Sequence, residues 1–372
     1  MRIAWFTENF PPSKGGMSRS CDRLVSHLRA HHTIDIYHFN NKHPAFSTKA
    51  QVNGSYTALP VFEDSAHTLN VLWAYIKNHQ EVLESQVLVG FGSHLCIKGM
   101  ALMATWLKKP LLICFRGNDF DNALFSQKKQ DLLYTIEKAS AIACVTMEKM
   151  QRIEFMELND HVYFTPNSID FNEWQVLESD KRLAATLKSE MNLSDGTKII
   201  GLIGFLKEKK GIDFFIKTLR KSQLINRVFL LLVGTLEPHV AFDLERLGIP
   251  FKVVSPESKT ELMAQYLVCD AVCIPSIYDG MPNVIFEAGA LDIPIIASRA
   301  GGIPDVLDEG NAFLFDVLSE KSMLEALSQF DNASADKLKL RTARLRDKIQ
   351  NEFSTEQETQ NYLAIFEKLV LG

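Results

Sequence analysis

The 372-residue chain is predicted to be an α/β protein made of two Rossmann-like domains, each a doubly wound parallel sheet. Three observations predict it. Apolar runs of five or six residues alternate with amphipathic stretches of ten to fifteen residues along the chain, which is the pattern of βαβ units. The alternation comes in two series separated by the segment "PNSID" at residues 166–170. The length is enough for two cores of ordinary size.

The elements follow in order. "RIAWFT" opens the first series, followed by a helix-like run over 17–30 and then "IDIYHF". "VLVGF", a helical run after Ser93, "LLICF", a helical run up to Lys138 and "AIACVT" complete it. After residue 170 come "KIIGLIGF", "RVFLLLVG", "FKVVS", "AVCIPS" and "PIIAS", each followed by a helix. Two polar helical stretches end the chain. In the last, over 356–369, Tyr362, Ile365, Phe366 and Leu369 form one apolar stripe that has to dock on something. The expected divisions are 1–168, 169–353 and a closing helix over 354–372.

Composition narrows the class. The chain has 40 Lys and Arg against 45 Asp and Glu, a net charge of −5, which argues against general nucleic-acid binding. Residues 1–165 carry 17 basic and 15 acidic side chains (+2), leaving 23 and 30 (−7) for the rest, so the first half could touch an anionic acceptor or a membrane surface. The six cysteines form no CxxC pair and sit mostly in apolar runs, which suits a reducing, cytoplasmic setting. The start "MRIAWFTENFPP" lacks the apolar core of a signal peptide, and no run approaches the roughly 18 apolar residues of a bilayer span. A soluble or peripheral protein at the inner membrane face is expected.

In open α/β sheets ligands bind beyond the carboxyl ends of strands, so the post-strand loops and a cleft between the two domains are where a site is expected. The stretch "SIYDGMPNVIFEAGALDIPIIASRAGGIPDVL" holds two such loops. The unpaired amides at the start of its first helix suit a phosphate, Asn283 is a candidate N-cap, and Gly280 permits close backbone approach. Glu287 lies one turn inside, and its carboxylate can reach a pair of vicinal hydroxyls such as a ribose. Asp279 can do the same for a second polyol across the diphosphate. Singly, Asp-Gly is also a common turn pair, and an early helical Glu also complements the dipole.

Taken together, these residues resemble the signature of the retaining glycosyltransferases of family 4, which share the GT-B fold: an acidic residue, Gly, a short loop, Glu, and a later Gly-Gly turn. "GFLKEKKGIDFFIKTL" is similar to that family's phosphate-binding loop, "PNSID" to its interdomain segment, "PPSKGGMSRS" to its N-terminal Gly-Gly loop, and "FRGNDFD" to a loop that carries His or Arg-Gly-x-Asp in many members. The resemblance implies that Glu287 binds ribose, that Asp279 binds the transferred sugar, and that backbone at Gly280, Met281, Asn283 and Val284 lines the sugar and diphosphate. It implies a phosphate-binding role for Lys210, close backbone approach at Gly15 and Gly16, and a final helix packed back on the N-terminal domain. Two departures stand out. Asp279 replaces the usual Glu, and Phe205 stands where an Arg is common, leaving Lys207 or Arg116 to supply the charge.

Arg116, Asp279 and Lys210 are thus the residues expected to carry catalysis. Arg116 would stabilise charge as the donor bond breaks; the alternative is a structural turn holding its own ion pair. Asp119 and Asp121 invite a metal, as do His27, His31 and His32, but the resemblance implies that cations and helix dipoles offset the leaving charge with no metal or other cofactor. Glu8 follows the first strand and could touch an acceptor. The implied reaction moves a sugar, with retention, from a UDP- or GDP-linked donor to a hydroxyl of a glycan or lipid-linked acceptor. A non-catalytic nucleotide-sugar-binding subunit is the rival, on Asp279 and Phe205; a GT-B epimerase is a second one and would need acid/base groups on both sugar faces.

Overall fold

A computed structural model describes residues 1–13, 15–43 and 45–371. The chain divides into two compact units, Met1–Asn167 with Thr355–Gly372, and Ser168–Ser354.

The first unit begins with β1 (Arg2–Thr7), α1 (Gly16–Leu28), β2 (Thr33–Phe39), β3 (Ser47–Gln51), β4 (Gly54–Leu59), α2 (Ser65–Ile76) and α3 (Gln80–Glu84). It continues with β5 (Val87–Phe91), α4 (His94–Leu107), β6 (Leu111–Phe115), α5 (Asp119–Leu124), α6 (Lys129–Lys138), β7 (Ala141–Cys144), α7 (Met147–Glu154) and β8 (Val162–Phe164). The sheet order is β3-β4-β2-β1-β5-β6-β7-β8. Every pairing is parallel except β3 with β4. β5 is buried at all five positions because helices cover both faces, which explains its unbroken apolar sequence.

The hairpin β3–β4 escaped the sequence reading. All five residues of "STKAQ" are exposed, so this edge strand carries no apolar signal, and Asn53 turns the chain with a φ of 52°. The single helix expected up to Lys138 is two, α5 and α6.

The second unit comprises α8 (Glu178–Glu190), β9 (Lys198–Ile203), α9 (Ile212–Leu219), β10 (Val228–Val233), α10 (Pro238–Arg246), β11 (Phe251–Val254), α11 (Lys259–Leu267) and β12 (Ala271–Ile274). Then come α12 (Asn283–Ala290), β13 (Ile295–Ser298), α13 (Ile303–Val306), β14 (Phe313–Phe315), α14 (Glu320–Asp331) and α15 (Ala335–Glu352). Its sheet is wholly parallel, in the order β11-β10-β9-β12-β13-β14.

The chain ends in α16 (Thr355–Leu371), which lies in the first unit. Its Tyr362, Ile365 and Phe366 enter the same buried cluster as Trp5, Leu24 and Val89, on the sheet face that α1 also covers. Burial of each is worth about 2 kcal/mol. Among the described residues, no helix is long and apolar enough to cross a membrane.

Candidate functional site

Counted from β9, the winding of the second sheet reverses between β9 and β12. The loops leaving a parallel sheet diverge at such a switch point and leave a crevice at the strands' carboxyl ends. One bordering loop runs from Gly204 to Gly211 and the other from Pro275 to Pro282.

Two glycines bring these loops together. Gly211 has a φ of 67°, and a Cβ there would lie 2.0 Å from the Pro275 carbonyl oxygen. With only hydrogen in that place, Ile277 N–H reaches the Lys209 carbonyl at 2.9 Å. Gly301, after β13, has a φ of 51°, and its Cβ would fall 1.7 Å from the Asp279 carbonyl oxygen. Gly302 N–H then donates to the Gly280 carbonyl at 2.8 Å. The loops after β9 and β13 therefore hold the loop that carries the Asp279–Gly280 turn.

In that seat Asp279 forms an ion pair with Lys210 through Oδ2. The same oxygen accepts from Ser276 Oγ at 3.3 Å, and Oδ1 accepts from Gly280 N–H at 3.0 Å. A carboxylate offers about four acceptor positions, so capacity for a further hydroxyl is left. The Lys210 side chain keeps 21% exposure, which places a fixed cation within reach of an incoming anion. α12 begins beside this pair, headed by the amides of Asn283 and Val284, with Met281 buried beneath at 4% exposure. The expected N-cap is corrected: Pro282 occupies that position and Asn283 is the first helical residue, with no side-chain capping bond. Pro282 holds φ at −69° with ψ at 128°, the extended backbone of a residue just before a helix.

Glu287, 5% exposed, sits one turn into α12 and accepts a 2.5 Å hydrogen bond from the Tyr266 hydroxyl. Tyr266 belongs to α11 and packs edge-on against Trp174, 6.0 Å between centroids. Phe205 is half exposed, and the Lys207 ammonium lies 4.2 Å from its ring centroid. The aromatic residue in the usual arginine position therefore orients a neighbouring cation by cation–π attraction. Lys207, Lys210, Asp279, Gly280, Met281, Asn283, Val284 and Glu287 all lie on the two loops at this switch point or on α12, which follows the second.

Gly15, Gly16 and Arg116 lie in the first unit. Gly15 caps α1 and Gly16 is its first residue, both exposed. Glu8, after β1, accepts from Leu95 N–H at 3.0 Å and so caps the first turn of α4.

The catalytic expectation for Arg116 is corrected. Its guanidinium is 1% exposed and bound through both terminal nitrogens. Nη1 donates to the Thr165 carbonyl at 2.6 Å and to Tyr362 Oη at 3.3 Å. Nη2 donates to Asn167 Oδ1 at 2.6 Å and to Glu358 Oε1 at 2.9 Å. Burial works against the charge, but Tyr362 and Glu358 more than offset it and hold the guanidinium above its ordinary range. Arg116 anchors α16 instead, through Glu358, which Arg23 also meets at 3.0 Å. Asp119 accepts from the amides of Arg116 and Gly117 at 3.1 and 3.0 Å, and Asp121 pairs with Lys149 and Arg152 at 3.2 and 2.7 Å. Both carboxylates are engaged by protein partners.

Sequence reasoning missed Tyr266 and Ser276. Tyr266 precedes Glu287 by 21 residues on a different helix, so no local spacing points to it. Ser276 belongs to the quoted stretch, but only its contact with Asp279 marks it out.

Two doubly wound units of this kind define the GT-B class. Over 99% of its length the chain is similar to the crystal structure of Anabaena Alr3699/HepE in complex with UDP, covering all of that chain with a TM-score of 0.78 at 15% identity. Within the second unit, residues 184–344 match the model for glycosyl transferases group 1. Over that segment, which is less than half of its length, the chain is similar to that glycosyltransferase family. It is 25% identical over 207 residues to a D-inositol 3-phosphate glycosyltransferase of Corynebacterium glutamicum, covering 52% of this chain and 49% of that one. To a GDP-mannose-dependent alpha-mannosyltransferase of the same species it is 25% identical over 360 residues, covering 89% of this chain and 80% of the relative. The chain spans about half or less of the first curated relatives it matches.

Proposed function

We propose that this protein transfers a sugar from a nucleoside diphosphate sugar to a hydroxyl acceptor, with retention at the anomeric carbon. The observation that supports this best is the convergence of Lys210, Asp279, the head of α12 and Glu287 at one switch point. The order of groups fits the donor. Glu287, oriented by Tyr266, accepts from the ribose hydroxyls; the α12 amides and Lys210 take the diphosphate; Asp279 accepts from the sugar.

Rate then comes from charge stabilisation. As the anomeric bond breaks, negative charge gathers on the diphosphate, where Lys210, Lys207 and the helix N-terminus oppose it. No metal is required in this scheme. Lys210 needs no rearrangement at that moment, because Asp279 already holds it. A donor phosphate oxygen takes the acceptor's proton, so no protein base is assigned.

UDP or GDP is the proposed leaving nucleotide, in keeping with the UDP bound to the Anabaena protein and the GDP-mannose in the mannosyltransferase's name. The proposed acceptor is a polyol, glycan or lipid-linked precursor of a cell-surface polymer, met in the cytoplasm at the inner membrane face.

The test is a thermal-shift screen against UDP, GDP, ADP, TDP and their sugar conjugates, since a ligand of the native state raises Tm by mass action. One base is expected to stand out, with its sugar conjugate turning over in the presence of an acceptor. Stabilisation by none of them would sink the reading.

A further inference from the structure

The first unit contains a cavity of about 740 Å³ at the amino-terminal end of its sheet. Lys109 precedes β6, His161 precedes β8, and Tyr163 lies within β8, so the opening faces the amino ends of these strands. The remaining wall is α16, whose Ile365, Lys368 and Leu369 are spaced i, i+3, i+4 and share one helical face. The volume falls in the roughly 300–1,000 Å³ range of small-molecule sites.

Its chemistry is one-sided. Two lysines and a histidine line it, and among the described residues that line it none is acidic. Lys109 is pinned by donating to the carbonyls of Leu83 and Ser85 at 2.8 and 2.5 Å. The Lys368 ammonium sits 4.9 Å from the Tyr163 ring centroid. Tyr163, Ile365 and Leu369 supply apolar surface between these cations. Fixed cations beside an apolar wall complement a molecule with an anionic head and a hydrocarbon chain, whereas a bare anion leaves the wall wet and a neutral amphiphile leaves the cations unanswered.

We propose that this cavity is a second ligand site, binding an amphipathic anion of the alkyl phosphate type between α16 and the amino ends of β6 to β8. The site is independent of the donor chemistry assigned to the second unit.

The test is calorimetric titration of the full chain with octyl phosphate below its micelle concentration, beside inorganic phosphate and octyl glucoside. Octyl phosphate is expected to bind once per chain, with the other two at least tenfold weaker. Charge reversal by Lys368→Glu with His161→Glu, both at the rim, is expected to cost at least tenfold in octyl phosphate affinity and to leave nucleoside diphosphate binding unchanged. Equal binding of inorganic phosphate, equal binding of octyl glucoside, or undiminished affinity in the variant would each overturn the proposal. Flotation with phosphatidylglycerol vesicles separates the sources: flotation that Lys368→Glu abolishes supports a membrane lipid, and octyl phosphate binding without flotation supports a soluble one.

Discussion

Glu287 and Asp279 carry the same charge and flank the same helix start, so different ligands must tell them apart. Ribose belongs to donor and product alike, and a hydrogen bond to a charged group is worth about 1.5–3 kcal/mol. Glu287→Ala is therefore expected to weaken nucleoside diphosphate and donor equally, by roughly 10- to 100-fold. Tyr266→Phe keeps the carboxylate, which still meets the ribose, but frees its orientation, and a smaller loss of about 5-fold in both affinities is expected. Asp279→Ala should reduce donor affinity and turnover while sparing the bare nucleotide, which gains from an unpaired Lys210. Calorimetry with both ligands decides; equal losses for donor and nucleotide in Asp279→Ala would remove it from the sugar.

At the scale of elements, two devices are testable. Gly301 admits no side chain because its Cβ would overlap the Asp279 carbonyl, and its φ is left-handed. Gly301→Ala should displace the Asp279–Gly280 turn and cost at least 10-fold in donor affinity, read by titration, with the far-ultraviolet dichroism unchanged. The second device is the Arg116–Glu358–Arg23 cluster that fastens α16. Removing one partner of a buried pair leaves the other uncompensated, at about 3–5 kcal/mol. Arg116→Met is expected to lower the stability of the first unit by that amount in urea unfolding and to spare nucleotide binding. Unchanged stability with lost transfer would restore a catalytic role to Arg116.

Over the whole molecule, pH acts through buried histidines. Burial holds His38 at about 4, and its ring lies 2.9 Å from Tyr56 Oη and 3.4 Å from Ser13 Oγ. The unfolded chain titrates near 6.5, so between those values it binds the proton that the native state refuses, and stability falls as pH drops. The expected loss between pH 7 and pH 5 is about 2 kcal/mol from His38 alone. His32 and His94, also lowered by burial, add in the same direction. Urea titrations at the two pH values measure it, and His38→Gln should flatten the slope; the same slope in that variant would refute the assignment.

The sequence alone determined the alternation of strands and helices, because an apolar strand covered on both faces cannot be written with polar residues. It also determined the glycines, the helix start and the acidic residues of the 276–307 stretch, since each answers to a local requirement within one βα unit. The exposed strand β3 was invisible for the converse reason: nothing buries it. Partners distant in sequence were decided by tertiary structure. Strand order brought the loops after β9 and β12 together and so paired Lys210 with Asp279 across 69 residues. It likewise set Tyr266 against Glu287, and docking of α16 gave Arg116 a carboxylate 242 residues away. That last contact turned an arginine that reads as catalytic into an anchor, because a side chain's role follows from what surrounds it in space, and spacing along the chain carries no record of that.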